Sequence, residues 1–197
     1  MNGFSHLRVN DYACNPWKNG LGITQDVILL PSGSDHNTFD CRIAISPIPN
    51  AAKFSSFAGI DRVLTLIRGN RLSLDFDGRR NRLTLFENIE FDSALAPIGT
   101  PEGDVIVINV MARRGVWKIA ECQVLTDFDA MPDIIPQEAN DLLYLIPLTG
   151  ECVFTVEKTT VVLAPLETLL VFTPKCVRAE NRTGHLLLIR ISKVILS

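Results

Sequence analysis

The sequence predicts an all-β protein made of two antiparallel, jelly-roll-like half-barrels packed as one compact unit. Apolar residues recur with a period of two over short stretches bounded by Gly, Pro, Asn and Asp, which is the strand pattern. Long helical periodicity is absent. The two halves of the chain also repeat one another in pattern, the signature of a duplicated fold unit.

The strands follow in order. A strand is expected over Phe39 to Ser46, and clear alternation follows at Val63 to Ile67, Arg71 to Phe76, Asn81 to Leu85 and Val105 to Met111. The second half has Leu142 to Ile146, Val153 to Val156, Thr160 to Leu163, Thr168 to Phe172 and Leu186 to Ile191. Regular spacing and turn residues between them point to a sandwich or barrel. Val63 to Gly69 matches Tyr144 to Gly150 in pattern, Leu85 to Phe91 matches Pro165 to Val171, and Ile106 to Ile108 falls opposite Leu187 to Ile189. Each half therefore reads strand, Gly, hairpin, strand, a Glu-bearing turn, strand, gap, strand. Residues 1–125 are expected to form the first barrel and 141–197 the second, joined by a Pro- and acid-rich linker over 126–140.

Composition narrows the partners. The chain has 197 residues, 47% hydrophobic and 21% charged, a globular profile. Its formal charge of −3 disfavours nucleic acid and anionic membrane. Arg79, Arg80 and Arg82 follow the turn signal Asp77-Gly78 and read as a solvated hairpin tip. Five scattered cysteines show no metal-ligand spacing, and the amino terminus lacks the basic start and apolar block of a signal peptide. No apolar run approaches the roughly 18 residues that span a bilayer. A cytoplasmic protein is expected, with exposed strand edges that make a homodimer reasonable.

Cupin barrels commonly hold a metal through two His and a Glu in one strand-turn segment plus a later His, because divalent metals favour imidazole with carboxylate. Here His6, His36 and His185 are scattered, so no metal site of that kind is expected. Counting back from Gly69 puts Arg62 where the Glu ligand would stand, with Ser56, Phe57 and Ala58 near the His positions. A cation in a ligand position favours a carboxylate or another anion. The expected architecture is thus a metal-free bicupin without a cofactor.

Three constellations carry the remaining chemistry. Pro16-Trp17-Lys18-Asn19-Gly20-Leu21-Gly22 combines an aromatic, a cation, an amide and two glycines, offering donors to a bound oxygen or forming a tight Trp-anchored loop. Asp61 and Arg62 enter a strand side by side and so point to opposite faces, with Arg42 a second inward candidate. An inward charge needs a partner or a ligand, and a structural salt bridge among Asp61, Arg62 and Arg42 is the competing reading. Asn109-Val110-Met111-Ala112-Arg113-Arg114-Gly115 ends the last strand of the first half, where Asn109 can present an amide to the same cavity. No nucleophile motif, Walker loop, dinucleotide fingerprint or paired-acid signature is present.

At these residues the chain resembles the HutD/Ves family. The matching pieces are Pro16-Trp17-Lys18-Asn19-Gly20-x-Gly22-x-Thr24, Arg42 with Ser46, Phe54-Ser55-x-Phe57-x-Gly59-Ile60-Asp61-Arg62, Leu66-x-x-Gly69 and Asn109-Val110-Met111-x-Arg113. The resemblance implies a cytoplasmic bacterial bicupin without the cupin metal, often dimeric. Some members are linked to histidine utilisation and are thought to bind a small carboxylate metabolite such as formylglutamate or urocanate. Carried onto this chain, it makes Arg62 the principal anion contact, surrounded by Lys18, Asn19, Arg42, Phe57 and Asn109. Trp17 and Asp61 complete the candidate ligand-binding set.

The leading expectation is a non-catalytic module that binds a small anionic metabolite through Arg62 and modulates histidine utilisation or a related amino-acid or stress response. The alternative is a metal-independent cupin enzyme acting on an acylated amino acid or similar carboxylate, with Asp61, Lys18 or Asp26 supplying acid or base. No catalytic residue is assigned, and a purely structural interaction protein comes third.

Overall fold

The computed structural model describes residues 3–16, 23–126, 139–172, 175–180 and 184–195. These residues contain eighteen strands, two short 3₁₀ turns and no α-helix. No helix among them is long and apolar enough to cross a membrane. The contact pattern divides the chain into two units, residues 12–118 and residues 1–11 together with 119–197.

The first unit holds β2 (Ala13–Pro16), β3 (Ile23–Leu30), β4 (Cys41–Ile48), β5 (Ala52–Lys53), β6 (Ile60–Arg68), β7 (Arg71–Phe76), β8 (Arg79–Thr84), β9 (Asn88–Asp92), β10 (Ile98–Glu102) and β11 (Val105–Arg113). One antiparallel sheet runs β2-β3-β4-β11-β6-β9 and the other β5-β10-β7-β8. Leu64, Leu66, Val105, Val107 and Phe91 from the larger sheet share a core with Leu72, Leu74 and Leu83 from the smaller. Arg62, Leu64 and Leu66 on β6 therefore face that interior, as the two-residue strand period requires.

The second unit is drawn from β1 (Phe4–Leu7), β12 (Trp117–Thr126), β13 (Asp141–Pro147), β14 (Cys152–Val156), β15 (Thr159–Leu163), β16 (Thr168–Val171), β17 (Val177–Ala179) and β18 (His185–Lys193). Its sheets run β1-β16-β13-β18-β12 and β15-β14-β17. Leu143, Leu145, Leu169, Val171, Leu186 and Leu188 pack with Cys152, Phe154, Val161, Leu163 and Val177 in one hydrophobic cluster.

The internal repeat is present strand by strand. The order β11-β6-β9 recurs as β18-β13-β16, and β10-β7-β8 recurs as β17-β14-β15. Local chemistry recurs with it. Gly69 and Gly150 both adopt positive φ, and so do Phe86 and Leu166 in the Glu-bearing turns. In those turns Glu87 accepts the backbone N–H of Thr84 at 2.8 Å, and Glu167 accepts that of Ala164 at 3.0 Å. The Asp77-Gly78 signal forms the β7–β8 hairpin with φ of 50° and 95°, the left-handed pair that a two-residue hairpin demands.

All four sheets are antiparallel and open at their edges, so the expected half-barrels are sandwiches of two sheets each. The sequence reading assigned residues 1–125 to the first half, whereas the structure pairs Phe4–Leu7 with Val171–Thr168 in the second unit. Most of the expected 126–140 linker lies outside the described residues.

Candidate functional site

The site grows from the register of the larger sheet in the first unit. Met111 on β11 stands opposite Arg62 on β6 and opposite Arg42 on β4. Phe91 on β9 continues that rung beyond Arg62, and Leu29 on β3 continues it beyond Arg42. Directly opposed residues share a face, so both arginines point into the interior. One rung deeper stand Asp26, Ala44, Asn109 and Leu64. The apolar core begins below them.

Arg62 is 3% exposed. Its guanidinium carbon lies 5.6 Å from the ring centres of Phe54, Phe57 and Phe91. One terminal nitrogen donates to the Ser55 carbonyl at 3.1 Å, while Nε is buried with no hydrogen-bond partner. No carboxylate pairs with it among the described residues. Burial, with repulsion from Arg42, lowers its pKa to about 10. It remains a cation at neutral pH, desolvated and flanked by three aromatic rings, a setting in which a guanidinium attracts an anion strongly.

Arg42 is satisfied differently. Its Nε donates to Asp26 Oδ1 at 2.7 Å, and the same carboxylate receives the Asn15 side-chain amide at 2.7 Å on Oδ2. His36 Nε2 lies 3.0 Å from that Oδ2. Thr24 and Ser46 hydroxyls meet at 3.1 Å on the same face. The terminal nitrogens of Arg42 and the side-chain amide of Asn109 have no hydrogen bond among the described residues, and neither group is sealed from solvent. A belt with two guanidinia, one carboxylate and an open amide can accept an anionic oxygen from several directions.

The aromatic cap is held from outside. Arg113 donates from Nε to Asp40 Oδ1 and from a terminal nitrogen to the Phe39 carbonyl, each at 2.7 Å. Phe39 then meets Phe57 edge to face at 5.3 Å, fixing the ring that covers Arg62. Gly99 has room for no Cβ because Phe54 Cε2 would stand 2.6 Å from it. The 54–59 segment is tied down by Phe54 N–H to the Pro97 carbonyl and by Arg114 N–H to the Gly59 carbonyl, each at 2.9 Å.

The structure thus brings Arg62, Arg42, Phe57 and Asn109 to one interior face. It does not bring Asp61 there. Asp61 lies on the opposite face of β6, exposed, with Oδ1 accepting Arg114 Nε at 2.6 Å, and a terminal nitrogen of Arg114 reaches Asp92 at the same distance. The alternative salt bridge among Asp61, Arg62 and Arg42 is therefore absent, because strand alternation separates the first two and Asp26 takes the third. Trp17, Lys18 and Asn19 lie between β2 and β3, outside the described residues. Sequence reasoning missed Phe54, Phe91, Asn15 and the His36–Asp26 contact. It named Asp26 only as an acid or base, and three donors around one carboxylate fit a structural anion better.

No group of His, Cys, Asp and Glu that could hold a metal ion stands among the described residues. The three histidines are dispersed and each meets a different side chain: His6 meets Glu167, His36 meets Asp26, and His185 meets Thr149. Cys41 is a buried core thiol whose pKa is pushed up to about 12 by desolvation, so it is no nucleophile at neutral pH.

The HutD family profile matches residues 9–188. The chain belongs to the HutD family. A Pseudomonas putida relative, called an uncharacterized 21.2 kDa protein in the hutC 3′ region, is 38% identical over 82 residues, covering 42% of this chain and 43% of its own length. Protein Ves of Citrobacter koseri is 34% identical over 61 residues, 31% of either chain. The chain therefore matches under half the length of these curated relatives. Among solved structures, HutD from Pseudomonas fluorescens SBW25, in a formate condition, superposes with a TM-score of 0.76 at 22% identity, covering 98% of this chain and 100% of that one. A cupin 2 conserved barrel domain protein from Leptotrichia buccalis gives 0.56 at 10% identity over 91% and 92%. Both likenesses speak to fold, and they make this HutD-family chain a cupin-like all-β protein.

Proposed function

We propose that this HutD-family protein is a non-catalytic receptor for a small carboxylate metabolite, held by Arg62 at the mouth of the first unit. One observation carries the reading: a guanidinium 3% exposed and charged at neutral pH faces the interior with no carboxylate partner among the described residues. A buried charge without a counter-ion costs several kcal/mol, and a ligand carboxylate would supply the missing partner. Arg42 and Asn109 flank the position, and the phenyl rings of Phe54 and Phe57 exclude water around it. Asp26 is occupied by three donors, which supports binding over acid–base chemistry.

The pathway is proposed from the hutC-region name of the Pseudomonas putida relative: the receptor would modulate histidine utilisation in the cytoplasm. A thermal-shift screen of wild type and Arg62→Ala against formate, acetate, glutamate, formylglutamate and urocanate tests the reading. Binding to the native state raises the midpoint by mass action. The expected result is a concentration-dependent rise with at least one carboxylate in wild type that disappears in the variant. An equal rise in both proteins, or none in either, rules the receptor out.

A further inference from the structure

The repeat exposes a second buried arginine. Arg62 lies seven residues before its turn glycine, Gly69, and Leu143 lies seven before Gly150. Their rungs are equivalent: Arg62 stands opposite Met111, and Leu143 stands opposite Arg190. Both units therefore place arginine on the same interior rung, Arg62 with Arg42 in the first and Arg190 in the second, and Arg62 and Arg190 rise from opposite strands of the equivalent pair. In the second unit Arg190 rises from β18 at the edge of the apolar core formed by Leu143, Leu145, Leu186 and Leu188.

The cluster beneath it is apolar, and the buried carboxylate on the same face of β13, Asp141, stands one rung further along, opposite Ser192. Arg190 is 9% exposed, and its Nε is buried with no hydrogen-bond partner. Its one carboxylate contact among the described residues is Glu121, 3.3 Å from a terminal nitrogen. That is longer than the roughly 2.7–2.9 Å of a charge-assisted bond, and it engages one nitrogen rather than the bidentate edge. Glu121 is also the more exposed partner, 31% against 11%, and its other oxygen is held by Gln123 at 2.6 Å. A well-packed apolar pair would serve stability as well or better.

We propose that Arg190 is a second anion site, specific for a small carboxylate, and that Glu121 is its internal stand-in. An incoming carboxylate takes the Nε edge while Glu121 turns outward to Gln123 and water. The site lies wholly within the second unit and does not depend on the reading of Arg62.

The test uses the full-length protein carrying Arg62→Ala, which silences the first site, with sodium acetate as probe. The Arg190 side-chain Nε–Hε resonance is followed by ¹⁵N-edited NMR. Arg190→Met identifies that resonance by its loss, and methionine is the residue the equivalent rung already holds at Met111. The expected result is a saturable movement of the Arg190 resonance, an affinity about tenfold higher once Glu121→Gln removes the competing charge, and no saturable binding in Arg190→Met. A resonance that stays still in both the Arg62→Ala and the Arg62→Ala/Glu121→Gln proteins, or an affinity that Glu121→Gln leaves unchanged, overturns the proposal.

Discussion

Arg42 and Arg62 stand on the two strands that flank β11 and share one cross-strand neighbour, Met111. Two like charges are thus held on one desolvated face, and only Arg42 has a counter-ion among the described residues. The repulsion contributes to the lowered pKa of Arg62. A fold that needed only stability would not keep such an arrangement.

Replacing Arg62 by Met removes a buried cation and supplies an unbranched apolar chain beside Met111 and three phenyl rings. The lost ring contacts oppose the gain, at about 0.5–2 kcal/mol, but relief of burial should prevail. Chemical denaturation at pH 7 should find the variant between unchanged and about 2 kcal/mol more stable than wild type. A loss of more than about 2 kcal/mol would mean that Arg62 is a structural strut.

The pH dependence of binding has a definite sign. The guanidinium binds as a cation, and its pKa falls to about 10 through burial and the neighbouring Arg42. Carboxylate affinity should be flat from neutral pH to about 9 and then weaken about tenfold per unit above 10, as the cation is lost. Titrations across that range check it, and an affinity that holds steady to pH 11 contradicts it.

Asp26 is the only carboxylate on the interior belt among the described residues, and it serves Arg42, Asn15 and His36 together. Asp26→Asn leaves the Arg42 cation buried without its partner and sets an amide against existing donors. The expected cost is about 3–5 kcal/mol in urea unfolding. A change under about 1 kcal/mol would show that the Asp26–Arg42 pair does not hold the sheet face.

Much of this was legible in the sequence, and particular residues show why. Alternation alone puts Arg62 and Asp61 on opposite faces, because adjacent strand residues must part, and the register with Met111 and Phe91 makes Arg62 the inward one. The Gly69 and Gly150 turns, the Glu87 and Glu167 turns and the Asp77-Gly78 hairpin are local devices, readable within a few residues. What stayed hidden was long-range. Phe4–Leu7 is a four-residue strand whose destination on β16 depends on which edge is open, and no local pattern encodes that. The contact of His36 with Asp26 crosses a loop, and Phe91 reaches Arg62 only through the β6–β9 register.

Asp61→Asn should separate the two faces of β6. The Asp61–Arg114 pair is exposed and contributes little, so stability should change by no more than about 1 kcal/mol and carboxylate affinity not at all. Parallel melting and titration measure both. A fall in affinity would place Asp61 in the site against its observed orientation.

Gly99→Ala acts through the cap. The new Cβ would stand 2.6 Å from Phe54 Cε2, forcing the ring away from Arg62. We expect a stability loss of roughly 1–3 kcal/mol and a carboxylate affinity lowered several-fold, read by titration under conditions where the variant is fully folded. Unchanged affinity would remove Phe54 from the binding account.

The most direct test is isothermal titration calorimetry of wild type, Arg62→Met and Arg62→Lys with the carboxylate that gives the largest thermal shift. The account predicts one saturable event in wild type that Arg62→Met abolishes and that Arg62→Lys weakens strongly, because an ammonium cannot reproduce the planar fork stacked among three rings. Binding of wild-type strength in Arg62→Met would contradict the central claim that Arg62 is the anion contact.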